Sequence, residues 1–346
     1  MGDIDRASLV YRWDLDKTYL HTEFDTVRDL LNTAFETPAS KRTVPGASAL
    51  LRELRTTEPA GIYILSGSPE QMRRVLEAKL RLDGIMWDAF TLKPSLRNLM
   101  RGKVRYLKDQ VSYKLAALLT SRTGVAPDTM EVLFGDDAEA DAFIYSLYAD
   151  ICGGRVGDAE LMEVLALASV YPEDIAPLVR LAHRIPRRET VRRIYIHLER
   201  VSSPAGFQEL GRRVCPFFNY FQPALVLVHD GMLDAPSALR VGAELVLEHG
   251  FNPEALIASF MDLQLRGYVG RTVADQLLEG AGEVDPHGFL GAAPVVEAFA
   301  EALAERLGDL GEPPPFVVGD IDYSGLFPRD RARALAGKLR AKWRRH

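Results

Sequence analysis

Short apolar runs alternate with helix-like patterns over roughly the first 150 residues of the chain. Three of these runs are rich in β-branched and aromatic residues, Leu9 to Trp13, Ile62 to Leu65 and Val132 to Phe134. A fourth run, Ile194 to Leu198, follows a helical stretch from Asp158 to Arg184. Such alternation is typical of parallel strands connected by helices. The pattern predicts an α/β fold, with a Rossmann-like parallel sheet flanked by helices.

Polar residues follow directly on three of the predicted strands. Asp14 follows the first run, Ser66 the second, and Gly135-Asp136 the third. In an open parallel sheet, ligands bind just beyond the carboxyl ends of the strands. We therefore expect these side chains to meet in one crevice.

Beyond residue 203 the pattern becomes helical throughout, which predicts an additional all-helical C-terminal domain. The predicted boundaries are 1–203 for the α/β domain, 204–310 for the helical domain, and 311–346 for a Pro-rich linker and a basic tail. The linker prediction rests on Gly311-Glu-Pro-Pro-Pro315, because consecutive prolines stiffen a chain. The predicted helices are Gly206 to Val214, Pro223 to Asp230, Ser237 to His249, Pro253 to Arg266, Thr272 to Leu278 and Ala292 to Leu307.

Composition supports an ordinary globular protein. The chain has 346 residues, of which 47% are hydrophobic, and no low-complexity tract, which excludes a disordered or fibrous protein. Its two cysteines have no metal-ligand spacing and indicate a reducing compartment. The apolar stretches are shorter than the ~20 residues that a membrane span requires. We expect a cytoplasmic protein.

Charge is unevenly distributed, although the net charge of −6 argues against nucleic-acid binding. The segment from Lys93 to Lys108 carries six basic residues and no acid. The segment from Arg329 to His346 carries eight Lys or Arg residues against Asp330 alone. Both segments are predicted either to face an anionic membrane surface peripherally or simply to be solvated.

Two aspartates stand at the exit of the first strand in Asp14-Leu-Asp16-Lys-Thr18, a DxDxT pattern. Carboxylates two residues apart at a strand end can both face the crevice, one as a nucleophile and one as a proton donor and acceptor. A structural turn or helix cap is the alternative interpretation. The similar Asp320 to Ser324 stretch has no partner motifs and is interpreted as a chance match.

The second strand leads into Ser66-Gly67-Ser68-Pro69-Glu70-Gln71. Ser68 as N-cap, Pro69 at the first helical position and Gln71 two residues later predict a capping box and a helix that begins at once. Ser66 precedes that N-terminus, where a hydroxyl and free amides favour a phosphoryl group. The alternative is a well-made helix cap without a ligand.

A predicted helix supplies a lysine, and the segment after the third strand supplies three acids. Lys114 lies in an amphipathic helix before the third strand, where it either offsets the charge of a carboxylate nucleophile and phosphate or lies on the surface. Asp136, Asp137 and Asp141 follow the third strand. Oxygen ligands of this kind suit Mg²⁺, which is the predicted cofactor. Helix-capping aspartates are the alternative.

The order of DxDxT, strand-Ser, helix-Lys and Gly-Asp-x-x-x-x-Asp resembles the haloacid dehalogenase superfamily of aspartate-nucleophile phosphatases. Within it, the chain is most similar to the catalytic domain of actin-patch-type phosphatidate phosphatases, over roughly Leu9 to Val201. The further residues that carry this resemblance are His21-Thr22, Val44-Pro45-Gly46, Ser66-Gly67-Ser68-Pro69, Lys114-Leu115 and Tyr145. Lys17 departs from the family, which usually has an acid at this position.

The resemblance implies a haloacid dehalogenase-like fold and a role for each residue. Asp14 is the expected nucleophile, which forms an aspartyl-phosphate, and Asp16 the acid and base. Ser66 and Lys114 are expected to hold the phosphoryl oxygens. The expected Mg²⁺ ligands are Asp14, the carbonyl of Asp16, and Asp136, supported by Asp137 or Asp141; the expected substrate contacts are Thr18, Gly67 and Lys93.

The resemblance also implies a substrate, a lipid phosphate such as phosphatidate. The 48 residues from Thr18 to Ser66, and again from Ser66 to Lys114, leave little room for a large cap, which predicts an open site. Two alternatives remain: the same chemistry on a soluble phosphomonoester, and a module that binds phosphatidate without hydrolysing it.

Overall fold

The computed structural model of the chain describes residues 6–20, 43–93, 103–284 and 291–327, with backbone alone for 103–109. Its centre is a six-stranded parallel sheet in the order β3-β2-β1-β4-β5-β6. The strands are β1 (Leu9–Asp14), β2 (Gly61–Pro69), β3 (Ala89–Lys93), β4 (Met130–Asp136), β5 (Val191–His197) and β6 (Val214–Phe217). The sheet confirms the predicted α/β class and the four predicted strands.

The register aligns the carboxyl ends of the central strands. Asp14 of β1 pairs with Leu65 of β2, and Asp136 of β4 pairs with His197 of β5. Every residue of β1 is buried, as expected for a parallel strand covered on both faces. The polar strand ends therefore meet at one edge, here called the carboxyl edge.

Helices cover both faces of the sheet. One face packs in a common core with α1 and α2 and with the helices that follow β6, and the other packs with α3 to α6. The helices are α1 (Ala47–Thr56), α2 (Arg73–Leu82), α3 (Lys103–Arg122), α4 (Asp141–Gly153), α5 (Asp158–Leu167), α6 (Pro172–His183), α7 (Phe221–His229), α8 (Ala235–His249), α9 (Pro253–Leu265), α10 (Arg271–Gly280) and α11 (Ala292–Ala304).

The sheet continues past residue 203, where the sequence predicted the end of the α/β domain. β6 pairs with β5 in the same sheet, and the region predicted as helix Gly206 to Val214 is a 3-10 helix (Pro204–Leu210) followed by this strand. Tyr11 and Trp13 of β1 share one core cluster with residues of α7 to α11. The helices after β6 thus complete one layer of the sheet, while the division of the chain into domains stays a prediction.

Two helix predictions need correction. The stretch from Asp158 to Arg184 forms two helices, because the backbone of Ser169 is left-handed (φ 63°) and Pro172 opens a new helix. The segment after Pro69 forms a 3-10 turn (Glu70–Met72) before α2, and Ser68 does not cap it. Within the described ranges, no helix is long and apolar enough to cross a bilayer.

Candidate active site

The loop after β1 brings its functional side chains to the carboxyl edge through a tight hydrogen-bonded turn. Leu15 donates its amide to the carbonyl of Leu65 on the neighbouring strand, and the amides of Tyr19 and Leu20 return to the carbonyl of Leu15. Lys17, at the turn, has a left-handed backbone (φ 58°). The turn folds Asp16 and Thr18 back over the sheet edge.

Three acids surround one lysine at this edge, and a fourth acid, Asp136, lies beside two of them. The Nζ of Lys114, on α3, lies 3.2 Å from Asp14 Oδ1, 2.7 Å from Glu139 Oε2 and 2.5 Å from Asp141 Oδ1. Asp14, Asp136 and Asp141 each offer an oxygen within 4.8 Å of the others. All five side chains are buried. The sequence-predicted Asp14, Asp136, Asp141 and Lys114 are therefore one cluster, which also includes Glu139.

The cluster has more negative charge than its lysine can neutralise. Burial, followed by the neighbouring acids, raises the pKa of Asp136 well above its usual value. Burial raises the pKa of Asp14 as well, although Lys114 partly opposes this. For Asp141 the same balance raises the pKa to about 6. Burial alone would lower the pKa of Lys114, but Asp14 and the other acids raise it, so the lysine stays charged.

The donor set fits a divalent cation. Both carboxylate oxygens of Asp14 are buried and have no hydrogen-bond partner among the described residues. A buried carboxylate that accepts no hydrogen bond is costly even beside Lys114, and an additional positive charge lowers that cost. Oxygen ligands from Asp14, Asp136 and Asp141 are of the type that Mg²⁺ prefers.

Gly135 lets these acids approach the strand. A Cβ at this position would lie 2.6 Å from Asp141 Oδ2 and 2.8 Å from the ring of Tyr145. Asp141 Oδ2 accepts the amide hydrogen of Asp136 at 3.3 Å. A larger residue than glycine would push Asp141 away from the cluster.

Two hydroxyls bind the carboxyl group of Asp16. Ser66 Oγ donates to Asp16 Oδ2 at 2.6 Å, and Ser68 Oγ lies 3.1 and 3.2 Å from its two oxygens. Ser68 therefore binds Asp16 instead of capping the helix, which corrects the capping-box prediction. Burial raises the pKa of Asp16 despite these hydroxyls, which favours its protonated form.

Three residues are predicted to contact the substrate: Thr18, Gly67 and Lys93. Thr18 Oγ1 makes a long hydrogen bond of 3.5 Å to Asp136 Oδ2. Gly67 lies under Gln110, whose Nε2 would be 2.7 Å from a Cβ at this glycine. Lys93 is buried, with its Nζ 5.9 Å from the ring centroid of Tyr113. Thr18 thus contacts the acid cluster, and Gly67 lies between the two serines that bind Asp16. The contact of all three residues with a substrate stays a prediction.

Asp137 has a different position. Its carboxylate accepts the amide hydrogens of Arg200 and Ser202, at 2.9 and 3.2 Å, and so holds the loop after β5. The sequence left open whether Asp137 or Asp141 supports the metal site. In the structure Asp141 lies in the acid cluster, and Asp137 faces this loop.

Residues that the sequence analysis missed support the loop after β1. His197 Nδ1 lies 3.1 Å from the carbonyl oxygen of Lys17, and the hydroxyl of Tyr220 donates to the carbonyl of Thr18. Tyr113 donates to the carbonyl of Ser66 at 3.0 Å. The position of His197 at the end of a predicted strand was a usable signal, whereas Tyr220 follows a strand that the pattern did not reveal.

The expectation of an open site is not met. Asp14, Ser66, Lys114 and Asp136 are all fully buried. Residues 21–42 and 94–102, which include His21 and Thr22 and most of the basic Lys93 to Lys108 segment, lie outside the described ranges.

Part of the chain matches a known protein family. Residues 13–158 match the family model for the phosphatidate phosphatase APP1 catalytic domain. A search of curated proteins gave no match. The matched range contains the DxDxT loop, Ser66, Lys114 and the Gly135-to-Asp141 segment. Over these residues the chain is similar to the APP1 phosphatidate phosphatase catalytic domain, a match that confirms the resemblance indicated by its motifs.

Proposed function

We propose that the chain is a Mg²⁺-dependent phosphatase that hydrolyses phosphatidate through an aspartyl-phosphate. One observation carries the proposal: the buried carboxylate of Asp14 has no hydrogen-bond partner among the described residues but lies between a lysine and further acids. A buried carboxylate whose oxygens accept no hydrogen bond is available to bind a cation and to attack phosphorus. The matched family suggests the same activity.

In the first step, an oxygen of Asp14 attacks phosphorus as the bond from phosphorus to the leaving oxygen breaks. Asp16 gives its proton to that oxygen and releases the alcohol, which is diacylglycerol for phosphatidate. Burial raises the pKa of Asp16, which is the direction that a general acid requires. Ser66 and Ser68 orient the carboxyl group through their hydroxyls.

In the second step, water attacks the phosphorus of the aspartyl-phosphate. Asp16, now a carboxylate, takes the proton of this water, and the bond between Asp14 and phosphorus breaks. Inorganic phosphate leaves and both aspartates return to their starting states. Lys114 holds the phosphoryl oxygens, where negative charge develops, and Ser66 joins it when its hydroxyl turns from Asp16 to the phosphoryl group.

We propose that Asp14, Asp136 and Asp141 hold the Mg²⁺, together with the backbone carbonyl of Asp16. When bound, the cation neutralises the carboxylates and the phosphate that approaches them. Lys114 alone faces three acids, so the cluster needs this second positive charge before a dianionic phosphate can enter.

A soluble phosphomonoester is the second candidate substrate. The complete burial of Asp14 and Asp136 favours a small phosphate ester that can be enclosed. The matched family and the two basic segments favour phosphatidate at an anionic membrane surface. The free, buried Cys152 and Cys215 support a cytoplasmic location. A cytoplasmic enzyme would reach phosphatidate by peripheral contact with the membrane.

A substrate panel tests the proposal. Phosphate release with Mg²⁺ is measured on phosphatidate in mixed micelles and on a series of soluble phosphomonoesters at equal concentration. We expect the highest kcat/KM for phosphatidate. A strong preference for a soluble ester would support the second candidate, and no release from any substrate would refute the phosphatase activity.

A further inference from the structure

One face of α3 carries three side chains that reach the candidate active site. Gln110 is three residues from Tyr113 and four from Lys114, a spacing that places all three on one face of a helix. Tyr113 donates to the carbonyl of Ser66, and Lys114 lies beside Asp14. The proposed mechanism gives Gln110 no role. Its side chain is nevertheless fully buried, so its polar atoms need partners from the protein or from a ligand.

The side-chain amide of Gln110 has a partner at its nitrogen and none at its oxygen. Nε2 donates to Glu139 Oε1 at 3.2 Å. Because Nε2 carries hydrogens and Oε1 does not, the carboxylate of Glu139 fixes which end of the amide faces it. Oε1 is buried and has no hydrogen-bond partner among the described residues. A buried carbonyl oxygen without a donor costs free energy until a group that carries a hydrogen enters the site.

Through Glu139, Gln110 is connected to the lysine of the acid cluster. Glu139 Oε1 accepts the hydrogen bond from Gln110, and Glu139 Oε2 lies 2.7 Å from Lys114 Nζ. The same Nζ lies 3.2 Å from Asp14 Oδ1. One carboxylate and one ammonium group thus link the amide of Gln110 to the proposed nucleophile.

On its other side, the amide lies against the end of β2, which holds Asp16. A Cβ at Gly67 would lie 2.7 Å from Gln110 Nε2 and 3.2 Å from Gln110 Oε1, so glycine leaves the room that this amide occupies. Gly67 is flanked by Ser66 and Ser68, whose hydroxyls bind Asp16. Gln110 therefore contacts both the lysine side of the site and the strand end that holds the proposed acid and base.

The second step of the proposed reaction brings a hydrogen-bond donor, water, to these groups. The phosphate and ester groups of fully ionised phosphatidate only accept hydrogen bonds, and the released alcohol gains its hydrogen as it leaves. The attacking water carries two hydrogens and has to direct a lone pair at phosphorus. Asp16 takes one of these hydrogens as the base, and the other needs a second acceptor. A neutral carbonyl oxygen can hold that hydrogen without taking the proton.

We propose that the free carbonyl of Gln110 binds the attacking water of the second step and orients it toward the aspartyl-phosphate. The inference rests on the proposed function and adds a water-positioning residue to it. The water oxygen forms its bond to phosphorus while the bond from phosphorus to Asp14 breaks. One proton of the water goes to Asp16, the other hydrogen stays on the phosphate that is formed, and Gln110 is unchanged.

A substitution that removes the carbonyl tests this role. Gln110→Met keeps an unbranched side chain of similar length and has only a weakly accepting sulfur in place of the amide. Gln264→Met is the matched control, because it makes the same change at a half-buried glutamine of α9, outside the candidate site. Both variants are made in the full chain and compared with the wild type in Mg²⁺.

Rapid acid quenching separates the two chemical steps. With ³²P-labelled 4-nitrophenyl phosphate, the first turnover of 4-nitrophenol reports the attack by Asp14, and the loss of label from the protein reports the attack by water. We expect Gln110→Met to release the first 4-nitrophenol within about twofold of the wild-type rate and to lose the label at least about tenfold more slowly. The labelled fraction at steady state should rise accordingly. Gln264→Met should match the wild type in both steps.

Two inorganic ligands test the water position without turnover. Beryllium fluoride on Asp14 mimics the phosphoryl group of the intermediate, whereas vanadate also holds an oxygen where the water would attack. In isothermal titration calorimetry with Mg²⁺, Gln110→Met should bind beryllium fluoride with wild-type affinity and vanadate at least about tenfold more weakly. Equal losses for the two ligands would contradict a role at the water.

Three kinetic results would overturn the inference. Equal slowing of both steps would show a structural role, slowing of the first step alone would assign the carbonyl to the leaving alcohol, and wild-type rates would show no role. Circular dichroism establishes that Gln110→Met is folded, and Gln110→Ala replaces it if it is not, with the same expected direction. If the wild type forms neither labelled protein nor phosphate, the proposed function fails and the inference with it. If the intermediate forms and Gln110→Met hydrolyses it at the wild-type rate, the inference alone fails.

Discussion

β1 and β4 carry two buried ionic clusters, one toward each end of the sheet. Toward the amino edge, Arg12 of β1 pairs with Glu131 of β4 at 2.5 Å, supported by Arg122 and by the Tyr148 hydroxyl at 2.5 Å. Toward the carboxyl edge, Asp14 lies two residues further along β1 and Asp136 five residues further along β4. The same two strands thus carry a cation-rich cluster and an acid-rich one.

The two clusters differ in how well their acids are satisfied. Burial alone would raise the pKa of Glu131, but Arg12 lowers it, and both of its oxygens accept hydrogen bonds. Burial raises the pKa of Asp14, and neither of its oxygens accepts a hydrogen bond within the described structure. A buried acid whose oxygens all accept hydrogen bonds, here called saturated, indicates a structural role. A buried acid whose oxygens accept none, here called unsaturated, indicates a site for a ligand.

Removing the unsaturated acid should affect activity most. We expect Asp14→Asn to lower Mg²⁺-dependent phosphate release by roughly a thousandfold or more, because the proposed nucleophile is lost. Its melting temperature without Mg²⁺ should equal or exceed that of the wild type, since one of the crowded buried acids around Lys114 is gone. Initial rates and thermal denaturation test both expectations.

The matched control for Asp14→Asn is Asp137→Asn, one residue from Asp136 but outside the acid cluster. It should keep most of the activity. Undiminished phosphate release by Asp14→Asn would remove this residue from the mechanism.

Removing the saturated acid should affect stability instead. Glu131→Gln leaves Arg12 and Arg122 buried without their counter-charge, which costs about 3 to 5 kcal/mol in the free energy of unfolding. Urea denaturation measures this loss, and the activity per folded molecule should change little. Asp128→Asn, at the exposed ion pair with Arg188, should cost less than about 1 kcal/mol. Equal losses in the two variants would contradict the comparison.

The acid-rich cluster should make stability depend on pH and Mg²⁺. Because folding raises the pKa of Asp14, Asp136 and Asp141, their protonated forms favour the folded state. That contribution is complete below the unfolded pKa of about 4. It is lost as pH rises through the folded values, which for Asp141 is about 6.

In EDTA, the melting temperature should therefore fall by a few degrees between about pH 5 and pH 7. Saturating Mg²⁺ should remove most of this fall, because the cation takes the place of the protons. Differential scanning calorimetry at both pH values, with and without Mg²⁺, gives the comparison. The same slope in both solutions would show that no cation binds the cluster.

The smallest effect is expected at the loop after β1. Tyr220→Phe removes the hydroxyl that donates to the carbonyl of Thr18. One such bond is worth about 1 kcal/mol, so kcat should fall about fivefold with little change in KM. Tyr195→Phe is the matched control, because its buried hydroxyl has no hydrogen-bond partner among the described residues. A purely structural role for Tyr220 would change the melting temperature and leave kcat unaltered.

Sequence patterns predicted four of the six strands because these are the buried central ones. β3 and β6 were missed for physical reasons. β3 is an edge strand of five residues with Thr91 and Lys93 among its apolar positions, and β6 has four residues, one of them Pro216. Short edge strands have neither the length nor the continuous apolar run that identifies a parallel strand.

The candidate site was predictable where a residue follows a strand directly. Asp14 and Asp136 meet in the acid cluster as their strand ends predicted, and Ser66 lies at the same edge of the sheet, where it binds Asp16. Ser68 and Glu139 could not be assigned, since their partners, Asp16 and Lys114, are distant in the chain. A serine before a proline is the local pattern of a helix cap. Only the folded loop shows that the hydroxyl of Ser68 binds the carboxyl group of Asp16 instead.

Trp13, which directly precedes Asp14 in the sequence, can serve as a fluorescent reporter of the site. Trp13 stacks on Phe134 at 3.9 Å and on Tyr220 at 5.6 Å, and its backbone leads directly into Asp14. Replacing Trp87 and Trp343 by Phe leaves it as the single tryptophan fluorophore of the chain. Its emission then follows the electric field at the neighbouring carboxylate, so occupancy by ions or phosphate analogues can be titrated without any turnover.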